Sequence, residues 1–268
     1  MGYQPKRGEY LRPHSDKKPN VFHRLMLKYR FSPIDYFLSS SEIVTEIFSK
    51  RFNLTHDQFI HTGYPMYDSL KNNIIPPNFS DVLPKPRCEY NCILLYAPTF
   101  RKKNKTKWFP FSDFTEKKLE QVLQKYEALL ILRPHPNEKL DSTLFKAKND
   151  RIVVMDHHTV EDTTELLKIA DCIITDYSGI YIEGLLVDLP PILIPYDLAQ
   201  YERWLPLPYH EITPGPKVSS FKEFTESLKQ SVNNKEKYQA DRERVRKIYF
   251  SNFKRGATKR VINFLETL

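Results

Sequence analysis

Three short segments gather the residues able to bind phosphate or move a proton: YAPTFR (96–101), LRPHP (132–136) and TDYSGIYIE (175–183). In the third, an apolar run passes through Asp176 and Tyr177 to Ser178 and Gly179, the pattern of a strand leading into a helix start. A helix start exposes unpaired backbone N–H groups that carry partial positive charge. A diphosphate fits there, with the Ser178 hydroxyl as an added donor and Gly179 permitting close backbone approach. Ser178 is equally suited to capping only its own helix. Glu183 follows about one and a half turns later, where a carboxylate can accept hydrogen bonds from both hydroxyls of a ribose or simply be a solvated or salt-bridged helix glutamate. His135 stands between Pro134 and Pro136, so its backbone is restricted and its ring is aimed from a stiff turn. Such a ring can donate to a phosphate oxygen or transfer a proton, and Arg133 adds a charge beside it. Arg101 suits bidentate phosphate binding, whereas Lys102, Lys103, Lys105 and Lys107 behind it read as a solvated, screened patch.

Positioning these groups requires strands that end just before them. CILLYAP is a continuous apolar run of strand length, the form expected of a strand buried on both faces of a parallel sheet, and ALLILRP, RIVVMD, CIIT and PPILIP read as further strands. Helical stretches alternate with them at Glu116–Lys125, Thr163–Ala170 and from Ser178. The order predicts a doubly wound α/β domain, in which ligands lie beyond the carboxyl ends of the strands. That places Thr99, Arg101, Arg133, His135, Asp176, Ser178, Gly179 and Glu183 on one rim. Upstream, DYFLSSSEIVTEIFSKRFNL predicts a strand over Tyr36–Leu38 and a serine-capped helix with Ile43, Ile47 and Phe48 on one face. FIHTGYP predicts a second strand. The run NNIIPPNFSDVLPKPR reads as an interdomain linker, with a boundary near residues 72–90. The tail from Phe221 to Leu268 is helical, with Phe250, Phe253 and Ile262 expected in the core.

Composition narrows the partners. The net charge of +8 favours anionic ones, among them nucleotides, acidic polymers and anionic lipid heads. Nucleic acid fits poorly, because the basic residues of the tail alternate with Glu, Asp and apolar positions, as a packed amphipathic helix has them. Only 7 glycines accompany 20 prolines, which leaves no Gly-rich phosphate loop of the dinucleotide type. No stretch approaches the apolar length of a membrane span and the start has no signal-peptide core, so a cytosolic chain is expected. Cys88, Cys92 and Cys172 lack paired metal spacing and read as structural thiols. His157 and His158 are adjacent, which should direct their rings apart, and neither a metal site nor a cofactor is expected.

The order GYPMYD, YAPTFR, RPHP, ADCIITDYSGIYIEGLL, PYDLAQYE, PGP and FKRGATKR resembles the CDP-glycerol glycerophosphotransferase family of teichoic acid and capsule synthesis, from about Asp35 to the end. The resemblance implies a GT-B fold, two Rossmann-like domains facing each other across a cleft. Residues 81–268 would form the carboxyl-terminal, nucleotide-donor domain, complete and doubly wound, and residues 1–80 a partial amino-terminal, acceptor-side domain with its linker. The donor would be CDP-glycerol or a related CDP-polyol, its diphosphate and ribose bound by Thr99, Arg101, His135, Ser178, Gly179 and Glu183. The acceptor would be a lipid-linked saccharide or polyol-phosphate chain at the inner membrane face, with peripheral contact to anionic lipid.

Three positions depart from the family pattern. Gly179 stands where relatives usually carry Ser and Arg133 where they carry Lys; both changes keep the phosphate-directed chemistry. The third is larger, since the family's Trp-His-Gly motif, whose His resembles the general base for the acceptor hydroxyl, is absent. Trp108 and Trp204 are the only tryptophans and neither precedes a His. His14 and His23 do not inherit that role by position, so the chain resembles a member beginning partway through its first domain, an enzyme either active with a substitute base or dependent on the missing segment. A silent nucleotide-binding module and a UDP-sugar-dependent GT-B enzyme stay open as alternatives, because fold alone does not decide function.

Overall fold

A computed structural model of the chain describes residues 34–72, 82–101, 106–138, 150–201, 207–251 and 256–268. The first thirty residues with His14 and His23, the middle of the expected linker, Lys102, Lys103, Lys105, Trp204 and Phe253 lie outside the described residues.

Three consecutive buried serines shape the first unit. Strand β1 (Phe37–Leu38) runs into Ser39–Ser41, and helix α1 (Glu42–Phe52) follows, its Ser41 hydroxyl accepting from the Val44 N–H. Asn53, at φ 55°, closes the helix in the left-handed region that its short polar side chain tolerates. Strand β2 (Phe59–Ile60) returns parallel to β1. The buried stripe of α1 is Val44, Phe48 and Phe52, with Ile43 and Ile47 only partly covered. The apolar stripe thus follows the four-residue spacing through to Phe52, not the flanking pair Ile43 and Ile47.

The main sheet is built from β3 (Cys92–Tyr96), α2 (Glu116–Lys125), β4 (Ala128–Leu132), β5 (Ile152–Val154), α3 (Thr163–Leu167), β6 (Cys172–Thr175), α4 (Ile180–Gly184) and β7 (Pro191–Leu193). All its strands are parallel, in the order β5-β4-β3-β6-β7. Every residue of β3 and β4 is buried, as their continuous apolar runs require. Successive side chains alternate between two cores. Cys92, Leu94, Tyr96, Leu130 and Ile174 face α2 and α6 (Phe221–Asn233), while Ile93, Leu95, Leu129 and Ile173 face α3, α4 and α7 (Gln239–Phe250). Cys92 and Cys172 are structural core residues, whereas Cys88 is exposed.

Residues around α1 pack into the second of those cores. Val44, Phe48, Tyr67 and Leu70 join the same apolar cluster as Ile93, Leu166 and Tyr249. The Ser40 hydroxyl donates to the Tyr249 carbonyl at 2.6 Å. Leu83 and Tyr90 are buried in that core as well, so the downstream end of the expected linker is packed. The GYPMYD motif meets FKRGATKR here: the Asp68 carboxylate accepts from the N–H groups of Gly256, Ala257 and Thr258 and from the Thr258 hydroxyl, at 2.8–3.1 Å. It caps α8 (Ala257–Leu265), whose entry requires Gly256 at φ 85°. In that helix Ile262 is exposed, contrary to the core position expected, because Ala257 is the α8 residue that turns fully inward.

Burial pushes the Asp68 carboxyl up, but the donors of Thr258, Ala257 and Gly256 outweigh it and hold the group below its ordinary value. A carboxylate depressed on folding stabilises above its unfolded pKa and loses that contribution as pH falls through the folded one. Asp68→Ala should therefore cost about 1–2 kcal/mol in urea unfolding at neutral pH, and the difference from wild type should shrink as the medium becomes acidic.

Candidate functional site

After β5 the chain returns to place β6 beside β3, and this reversal opens a crevice at the carboxyl ends of those two strands. The strands stay joined to their ends: the Ala97 N–H donates to the Ile174 carbonyl, and the Thr175 hydroxyl donates to the Ala97 carbonyl at 2.7 Å. Asp176 comes next and is 2% exposed. Its Oδ1 accepts from the Thr99 N–H at 2.9 Å, the Thr99 hydroxyl at 2.7 Å and the Tyr177 N–H at 2.6 Å. Its Oδ2 accepts from Arg101 Nη2 at 2.7 Å.

Arg101 is held from the other side by Asp197 of the PYDLAQYE motif, through Nε at 2.8 Å and Nη2 at 2.9 Å. Its Nη1 donates to the Thr99 carbonyl at 2.5 Å. The guanidinium carbon lies 5.2–5.3 Å from the ring centres of Tyr177, Tyr196 and Tyr201, within cation–π reach. Burial opposes the charge on Arg101, but hydrogen bonding and charge from Asp197 and Asp176 outweigh it and raise the pKa. The Tyr209 hydroxyl donates to the Asp176 carbonyl at 3.0 Å. YAPTFR, TDYS and PYDL are thereby locked together, with Arg101 at the junction rather than extended into the basic loop.

Arg133 has a different setting from the rim position expected of it. It is 5% exposed, and its guanidinium donates to the carbonyls of Met155, Asp156, Val160 and Glu161 and to the Thr163 hydroxyl. It braces the turn between β5 and α3, because four converging carbonyls take up the planar donor fork. Burial lowers its pKa, with Asp156 and Asp162 opposing.

His135 stands at the rim. Its ring stacks on Phe100 at 5.1 Å, and its Nδ1 accepts from the Asn137 N–H at 3.1 Å. That bond assigns the ring proton of the neutral form to Nε2. Glu138 ties the same turn to the far end of the basic loop by accepting from the Thr106 N–H and hydroxyl. Ser178 and Gly179 are half-buried, and helix α4 begins one residue later than the serine cap predicts, with Gly179 at its cap and Ser178 Oγ accepting from the Ile180 N–H. The helix spans five residues, so what it offers an anion is N–H groups more than a macrodipole.

Glu183 lies in α4 and is 2% exposed, so it is not a solvated helix glutamate. Tyr67 donates to its Oε1 at 3.2 Å. Burial pushes its pKa up to about 7. Tyr67 and Asp197 fall within GYPMYD and PYDLAQYE, but no spacing rule predicts that they meet Glu183 and Arg101. The rings of His157 and His158 lie 3.8 Å apart, not turned away from each other as adjacency suggests, because Asp156 folds the segment into a turn by accepting from the N–H groups of His158 and Thr159. Among the described residues no group of three or more His, Cys, Asp or Glu is arranged to hold a metal.

The family model of CDP-Glycerol:Poly(glycerophosphate) glycerophosphotransferase matches residues 12–267. The chain belongs to this family. It is 31% identical over 188 residues to the teichoic acid glycerol-phosphate primase of Bacillus subtilis, covering 69% of this chain and 46% of that protein. The chain spans about half the length of such curated relatives, the teichoic acid glycerol-phosphate transferase of Staphylococcus aureus being covered to 51%. Among solved structures, the wall teichoic acid polymerase TagF soaked with CDPG superposes with a TM-score of 0.71 at 22% identity, over 95% of this chain and 62% of that one. The UDP complex of S. aureus MnaA superposes at 0.56 with 16% identity, over 96% and 66%. The glycerophosphotransferase chain is therefore an α/β protein of GT-B type.

Two measurements separate scaffold from site. Arg133→Lys cannot reach the same carbonyls and should cost about 2–4 kcal/mol of stability, with nucleotide affinity of the folded fraction unchanged; weaker affinity at full stability would give Arg133 a ligand instead. For Glu183, a carboxyl whose pKa rises on folding binds more protons folded than unfolded, so stability falls as pH rises from about 4.5 to about 7. Glu183→Gln should remove roughly 2–4 kcal/mol of that slope, read as melting temperature against pH.

Proposed function

We propose that this chain is the donor-nucleotide side of a phosphotransferase that passes glycerol phosphate, or a related polyol phosphate, from its CDP ester to a lipid-linked or polymer acceptor in teichoic acid or capsule synthesis. The observation that carries the reading is that His135 follows the carboxyl end of β4, and Ser178, Gly179 and Glu183 follow that of β6, on either side of β3, in a chain of this family. Residues 81–268 supply the donor site, and residues 1–80 belong to the acceptor side, where 34–72 already share a core with the sheet.

Each residue then has a chemical task. Glu183 accepts from the ribose hydroxyls in a buried setting. The Ser178 hydroxyl and nearby N–H groups hold the diphosphate, and His135 Nε2–H donates to a phosphate oxygen. Thr99, Asp176 and Arg101 fix the loops that surround it. In transfer, the acceptor oxygen attacks the phosphorus bearing glycerol, the bond to the CMP oxygen breaks, and the acceptor proton passes to a base. His135, by hydrogen-bond donation to the phosphates, stabilises the negative charge that develops on CMP as it departs. The +8 surface suits an anionic polymer and peripheral contact with anionic lipid at the inner membrane face; among the described residues no helix is long and apolar enough to cross a membrane.

The same donor-side site suits a second reading, a nucleotide-binding module without transfer activity. Calorimetry with CDP-glycerol, CDP and UDP, followed by a transferase assay with CDP-glycerol and acceptor, separates the two. The transferase-derived site should prefer cytidine over uridine, and His135→Ala should weaken CDP-glycerol binding by about 10-fold. Turnover by the chain alone would sink the module reading. Preference for UDP or a UDP-sugar would sink both.

A further inference from the structure

Glu183 reaches its place with help from a segment far away in sequence. Tyr67, from the GYPMYD motif, is 1% exposed, and its hydroxyl donates to Glu183 Oε1 at 3.2 Å across 116 residues of chain. The Tyr67 ring is fixed edge-on by Tyr64 at 5.7 Å and Phe250 at 5.8 Å. The backbone beside it is fixed too, since Asp68 is anchored by the N–H groups that open α8. A ring held this rigidly keeps its hydroxyl oxygen within hydrogen-bonding distance of the Glu183 carboxylate.

We infer that Tyr67 is a positioning residue for Glu183, orienting its carboxyl so that the oxygens meet the ribose hydroxyls of a bound nucleotide. The inference rests on the reading of Glu183 given under the proposed function. One accepted hydrogen bond from Tyr67 restricts the carboxyl's rotation about its terminal torsion, which is otherwise broad. It also favours the ionised, purely accepting form against the burial that opposes it. Among the described groups that bear on this titration, Tyr67 lowers the pKa and Asp162, at the cap of α3, raises it. Helix α7 packs on the same side, with Tyr249 acting on Tyr181 and Arg242 paired to Asp188.

The test is calorimetric titration of the full chain with CDP between about pH 5.5 and 9, using wild type, Tyr67→Phe, Glu183→Gln and the double variant, with pyrophosphate as a ligand lacking ribose. Tyr67→Phe keeps the ring and should weaken CDP binding about 3- to 10-fold. Its pH midpoint for binding should move upward, because the carboxyl loses a donor to its ionised form. Pyrophosphate affinity should stay at the wild-type value, which also verifies an intact fold. The double variant should bind CDP no worse than Glu183→Gln alone, since the tyrosine acts through the glutamate. If Glu183→Gln weakens CDP but Tyr67→Phe leaves affinity and midpoint unmoved, or if their effects simply add, the positioning role is overturned while the ribose reading survives. If Glu183→Gln leaves CDP binding unchanged, the ribose reading itself fails and the role of Tyr67 falls with it.

Discussion

A carboxylate removed from water must find donors for its oxygens, and at the crevice between β3 and β6 that requirement organises the surrounding loops. Asp176 takes the N–H and hydroxyl of Thr99, the N–H of Tyr177 and the Arg101 guanidinium. Leaving such a charge unpaired would cost several kcal/mol (roughly 3–5), so the loops after β3 and β6 are constrained together. Arg101 carries the constraint on to Asp197 and the three tyrosine rings. The third motif therefore takes its position from the first and from PYDLAQYE.

The arginines of the first two motifs hold the protein itself. Arg101 and Arg133 looked equally suited to phosphate, yet both guanidiniums are directed at groups of the protein: the first at two carboxylates, the second at four carbonyls. His135 is supported differently, through one ring nitrogen and one face, by Asn137 and Phe100.

A second constraint reaches the site from the chain's two ends. The unit around α1 has its own parallel strand pair, but it buries Val44, Phe48 and Tyr67 against the helices that cover the main sheet. Asp68 secures α8, Arg260 donates to the Thr62 carbonyl, and Ser40 reaches Tyr249. The PGP motif contributes close contact rather than chemistry: a Cβ on Gly215 would overlap the Pro191 carbonyl, so only glycine lets that loop lie against β7. Several of the family's motifs are thus joints between distant segments.

From the residues alone, the five strands of the main sheet, their alternation with helices and the placement of the three motifs at strand ends were legible, because apolar run length and turn residues act locally; the exposed outer face of β5, at the sheet edge, was not. The range Glu116–Lys125 was legible to the residue, since its threonine cap and its apolar spacing agree. The family order of motifs was legible for the same reason: it is a linear pattern. Only the tertiary structure decided what each charge faces. Arg133 turned inward because four carbonyls of the β5–α3 turn converge on it, and Glu183 became buried because Tyr67 and the core around α7 close over α4. Burial and pairing depend on contacts across 20 to more than 100 residues of chain. No local pattern encodes them, so residue type and spacing named the chemistry while packing assigned it to ligand or to scaffold.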